Sequence, residues 1–158
     1  MDAIHIHLLL NHIPILGTLF GIIILAAGLF KNNRTLIVTA LVTFIATALI
    51  TIPTNFSGEN AEDAVEKLPG VTEQAIENHE EAAEPAFAAA LIVGVLSIAT
   101  LFLTRGGRLR FLPFVVLVAS LATFVLMVQA GNLGGMIRHT ELTPGSVPAG
   151  NVTPPDSD

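Results

Sequence analysis

Four apolar blocks, each close to the length of a membrane crossing, decide most of what this 158-residue chain can become. They run from about Leu8 to Phe30, Leu36 to Ile52, Ala86 to Leu103 and Phe111 to Ala130. A helix rises about 1.5 Å per residue, so about twenty residues cross a hydrocarbon core about 30 Å thick. Charged residues make up 13% of the chain, where a soluble domain carries about 25%. That balance excludes a soluble α/β enzyme and a disordered chain. The net charge of −6 argues against a nucleic-acid binder. The expectation is an all-α, antiparallel four-helix bundle in a membrane, over residues 1–142, with an extended Pro/Gly-rich tail over 143–158.

Orientation follows from the loops. Lys31, Arg34, Arg105, Arg108 and Arg110, five of the seven basic residues, lie in the two short connections. Basic residues beside spans stay cytoplasmic, so both termini and the segment between the second and third spans face outward. All thirteen acidic residues fall on that outer side. With no basic leader at Met1-Asp2, the first span is retained rather than cleaved. The localisation this implies is a bacterial inner membrane, multi-pass, with periplasmic N- and C-termini.

The outer segment reads as helical over 58–85. Pro53 is expected to stop the second span, and Ser57 to cap a short helix, Glu59 to Leu68, broken by Pro69-Gly70. Thr72 caps a second helix that continues through Pro85 into the third span. On that helix Glu73, Glu77, Glu80, Glu81 and Glu84 share one face. Ala75, Ile76, His79, Ala82, Ala83 and Ala86 share the other, which should look into the bundle.

Cysteine is absent, so thiolate ligands and c-type haem attachment are excluded. All five histidines lie on the outer side. If the hydrocarbon begins near Asn11, Ala86 and Ala130, His12 sits at its boundary. His7 then stands about 7 Å above it, His79 about 10 Å and His139 about 13 Å. Three helices thus bring imidazoles to one layer. Buried neutral imidazoles each need a partner, and ligation would satisfy one nitrogen of each, leaving the other for a supporting acceptor. His5, near the free end, reads as a polar cap.

Haem b, one group or two, suits these surroundings better than a bare metal. Gly131, Gly135 and His139 repeat every four residues and leave a flat surface for a macrocycle, with Gly134 beside them. Arg138 is placed for a propionate. His7, His12, His79 and His139 are the candidate iron ligands. By height, His12 pairs with His79 and His7 with His139, with other pairings open. The glycines could instead serve close helix packing, as Gly17 and Gly21 do in the first span. A histidine/carboxylate metal site is the rival, but the Glu-x-x-His spacing of di-iron bundles is missing, because Ile76 precedes His79 by three. The threonine stripe Thr35, Thr39, Thr43, Thr47 and Thr51 reads as hydroxyls bonding back to their own helix. No charged residue falls at mid-membrane, which argues against a pump or transporter.

The opening motif His7-Leu-Leu-Leu-Asn-His12-Ile-Pro14-Ile15 resembles the His-x4-His-x-Pro-Ile signature of a bacterial four-span membrane-domain family of unknown function. His79 ahead of the third span, and Gly131 to His139 after the fourth, match its remaining features. Leu8 stands where that family carries proline. The domain occurs joined to Rieske or cytochrome c domains, which implies a redox role.

The reading is a membrane electron-transfer subunit, a b-type cytochrome without activity of its own. Its partners would be membrane or periplasmic redox proteins, quinol and membrane lipid, and not nucleic acid. The alternatives are a non-catalytic structural subunit of a membrane complex, or a metal-binding membrane protein. Because the inner halves of the spans lack histidine, tyrosine and tryptophan, exchange is expected only at the outer face.

Overall fold

A computed structural model describes residues 3–68, 70–104 and 109–138. Five helices follow in order: α1 (Ala3–Leu10), α2 (His12–Phe30), α3 (Arg34–Val65), α4 (Glu73–Leu103) and α5 (Leu112–Arg138). No strand occurs among the described residues. α1 and α2 form one rod, so four apolar rods, Ile4–Phe30, Arg34–Glu62, Glu73–Leu103 and Leu112–Ile137, are each long and apolar enough to cross a membrane.

The rods pack α2 on α3, α3 on α4 and α4 on α5, and the ring closes through α2 and α5. Ile22, Leu25, Leu41, Phe44, Val93 and Val116 fill the lower core. Ala86, Ala90, Met127 and Ala130 fill the upper one. Large apolar side chains such as Phe20, Phe102, Phe114, Val118 and Val125 point outward. In water such a surface would drive association. Against acyl chains it costs nothing.

Local chemistry sets the joints. Pro14 has its ring against the carbonyl four residues back, that of Leu10, which is where α1 ends. Asn11 keeps helical angles there and donates its amide to the His7 carbonyl at 2.9 Å, so the hydrogen bonding carries through the joint. At the other end of α2, Asn32 adopts φ 48 and the Asn33 carboxamide oxygen accepts from the Leu36 amide at 3.2 Å. Thr72 accepts from the Ala75 amide at 3.3 Å, the expected cap of α4. α4 then runs unbroken through Pro85.

Pro53 does not stop the second span. α3 passes through it and continues to Val65 as one helix of 32 residues. Proline removes one donor and crowds one carbonyl, but a chain leaving an apolar layer has few other partners for its backbone, so the helix persists through the proline. Ser57 is therefore no cap. It lies inside α3, where its hydroxyl donates to the Thr54 carbonyl at 2.7 Å. The separate helix expected over Glu59 to Leu68 is the end of α3, and the turn that follows places Gly70 at φ 83. The tail over 143–158 lies outside the described residues.

Within the bundle the hydroxyls bond mainly to their own helices. Thr43 donates to the Thr39 carbonyl at 3.0 Å, Thr51 to Thr47 at 2.8 Å, Thr100 to Leu96 at 2.7 Å and Thr123 to Ala119 at 2.9 Å. Gly17 faces Thr47 and Gly21 faces the Phe44 ring, so both serve close packing. Gly28 is tighter still, because a methyl group there would sit 2.9 Å from the backbone nitrogen of Ile37. That atom cannot rotate aside. Gly28→Ala is expected to destabilise the bundle by about 1–3 kcal/mol, read as a lower midpoint when the protein is unfolded in mixed micelles of rising SDS content.

Candidate functional site

At the acidic end a cavity of about 800 Å³ lies between the rods. Pro14, Ile15, Ala86, Phe87 and Met127 make its apolar floor. Ligand pockets run from about 300 to 1,000 Å³, mostly apolar with a few convergent polar groups. Here those groups are two imidazoles, with carboxylates at the mouth.

His7 reaches the cavity from α1 and His79 from α4. Their ring centres are 6.5 Å apart with planes at 76°. Each ring is half-buried. The His79 Nδ1 donates to the Ala130 carbonyl of α5 at 2.9 Å. The His7 Nδ1 lies 3.1 Å from the Ser57 hydroxyl oxygen and 3.3 Å from the Thr54 carbonyl, both in α3. A carbonyl only accepts, so each Nδ1 carries the proton and each Nε2 keeps its lone pair. This is the arrangement that metal-binding histidines share, one nitrogen fixed by a backbone or side-chain acceptor and the other free to ligate.

Two glycines make room for the rings. A methyl group at Gly58 would stand 3.1 Å from His7 Cε1, and one at Gly134 would stand 3.0 Å from His79 Cε1. Gly131 lines the cavity beside Ile15, 3.1 Å from where its own methyl would lie. Gly135, expected as part of the flat surface, is exposed and has nothing within 4 Å of that position. The glycine that meets a histidine is Gly134, one residue earlier.

His12 takes no part in the cavity. It is exposed, and its Nδ1 lies 2.8 Å from the Leu8 carbonyl of its own rod. Height alone puts it in the same outer layer as the others. Azimuth separates them, because five residues at about 3.6 per turn rotate His12 roughly 140° from His7. Arg138 is the last residue of α5, and its side chain, like His139, lies outside what is described. Thr54, Ser57 and Gly58 were not expected at the site. The histidine-to-hydroxyl contact joins residues 50 apart in sequence, and once Pro53 is read as a stop, α3 no longer reaches that level.

The mouth is strongly acidic. Glu59 and Glu62 of α3 and Glu77, Glu80, Glu81 and Glu84 of α4 all border the cavity. Even so, among the described residues no three His, Cys, Asp or Glu side chains converge on one point. A bare ion held by protein alone commonly needs three or four ligands. A macrocyclic metal group supplies its own equatorial donors and asks for two axial ones. His7 and His79 offer two imidazoles, with ring centres 6.5 Å apart. The residues present therefore fit haem better than a free cation.

The contact between the rings is open to measurement. In a double-mutant cycle of His7→Ala and His79→Ala, the ligand-free protein should show a coupling of about 0.5–3 kcal/mol, as for residues in contact. His12→Ala combined with His79→Ala should be additive to within about 0.5 kcal/mol.

Comparison of the chain with protein-family models, with curated proteins and with solved structures finds no match.

Proposed function

We propose that the protein is a membrane electron-transfer subunit, a b-type cytochrome whose haem occupies the cavity at the acidic end. The observation that carries this reading is the imidazole pair: two half-buried rings 6.5 Å apart, each with Nδ1 held by an acceptor on a neighbouring helix. His7 and His79 would hold the haem iron, a different pairing from the one that height favours. Bound there, haem supplies one-electron redox chemistry.

The chain's own residues do the rest. The apolar floor excludes water from one side of the group. Gly58 and Gly134 let the rings approach their helices. The glutamates that border the cavity on α3 and α4 would not bind propionates, and Arg138, the last residue of α5, is the basic residue proposed for charge-assisted bonding to one. The exposed carboxylates also favour redox partners that present basic surfaces. The charge asymmetry of the connections supports periplasmic placement of this end in a bacterial inner membrane. Partners would be periplasmic or membrane redox proteins, or quinol approaching from the lipid.

An absorption spectrum of protein purified from haem-supplied cells tests the assignment. Reduction by dithionite should give a sharp α-band typical of two nitrogen axial ligands. His7→Ala and His79→Ala should each abolish that band, and His12→Ala should leave it in place. A colourless wild-type preparation sinks the proposal, and it would favour a structural subunit whose histidines only tie helices together. For orientation, cysteines placed at positions 60 and 78 should react with an impermeant maleimide in intact cells, and one at position 32 should not. The reverse labelling pattern would place the cavity in the cytoplasm.

A further inference from the structure

Ser57 differs from the other intrahelical hydroxyls in what rests on its oxygen. Thr51, Thr100 and Thr123 make the same kind of bond to their own helices. Ser57 also donates inward, to the Thr54 carbonyl at 2.7 Å, but an imidazole nitrogen of another helix lies 3.1 Å from its oxygen. A hydroxyl has one proton. With that proton committed to Thr54, the oxygen can only accept from His7 Nδ1. The Thr54 carbonyl, 3.3 Å from the same nitrogen, imposes the same direction.

We propose that Ser57 is the positioning residue of His7. Together with Thr54 it holds the imidazole as the Nδ1–H tautomer, so that the Nε2 lone pair is available to whatever the cavity binds. The arrangement differs from that of His79, whose support is the main-chain carbonyl of Ala130 and cannot be removed by substitution. Ser57 is the part of the support that side-chain replacement can reach. Gly58 completes the local fit, because the ring lies against its α-carbon where any side chain would press on Cε1. The α3 sequence Thr54-Asn-Phe-Ser57-Gly58 thus provides a backbone acceptor, a hydroxyl acceptor and a gap within about one and a half turns. The tautomer stands on geometry alone, and only its use as an iron ligand rests on the haem reading.

Two measurements on the full chain in detergent micelles separate these claims. The first uses ¹⁵N-labelled histidine in the haem-free protein and reads each ring's tautomer from its nitrogen shifts. Wild type and Ser57→Thr should show His7 protonated at Nδ1. Ser57→Ala, left with the longer carbonyl contact, should shift His7 toward a tautomer mixture while His79 stays unchanged. An unaltered His7 in Ser57→Ala, or an Nε2–H tautomer in wild type, overturns the proposal. The second is haem titration, where loss of a supporting partner costs about 10-fold or more in affinity. Ser57→Ala should weaken binding by that factor, and Ser57→Thr should restore it. If Ser57→Ala changes the tautomer but not the affinity, the support matters to the free ring and not to ligation, which overturns the positioning role. A wild type that takes up no haem overturns the haem reading, and the tautomer result alone then decides for or against Ser57.

Discussion

Backbone hydrogen bonding in an apolar surrounding is the constraint on which the rest of this structure depends. At hydrocarbon depth a peptide group that leaves its helix finds no water, so helices tend to continue until they are well clear of the apolar layer. α3 and α4 do this at 32 and 31 residues, each through a proline. Their overshoot is what builds the site. The outer turns of α3 bring Thr54, Ser57 and Gly58 to the level of His7, and those of α4 bring His79 to the level of α5.

The outer ends are held apart by composition as much as by shape. Small residues let α4 and α5 meet closely at Ala86, Ala90 and Ala130. Above them the facing turns of α3 and α4 carry carboxylates on both sides, and like charges placed across a gap discourage closure. The cavity therefore has a packed floor and an acidic mouth. His7 of α1 and His79 of α4 both line it, with ring centres 6.5 Å apart.

The fold was legible because its signals are long-ranged averages. Four apolar runs, the cap at Thr72 and the alternation of glutamate and small faces along α4 each sum over many residues. Pro53 misleads because proline ends helices where water can take up the freed backbone groups, and α3 passes it at the edge of an apolar layer. The histidine layer was legible in height, which follows from the rise per residue. Its membership was not, since height ignores rotation, and the 140° between His7 and His12 decides which ring enters the bundle. Gly134 and Ser57 were out of reach for another reason. A glycine or serine acquires its role from the side chain that a different helix lays against it, and no local pattern encodes that neighbour.

The position of the imidazole pair has an energetic consequence. Carrying one elementary charge across the whole membrane against 100 mV involves about 2.3 kcal/mol. If the hydrocarbon begins near Asn11, as the sequence suggests, the pair lies outside most of that drop, and most hydroxyls of the lower bundle are bonded to carbonyls of their own helices. In that position a charge gained or lost at this end would cross little of the transmembrane voltage. Redox chemistry at the pair would proceed at nearly the same driving force in an energised membrane as in a depolarised one.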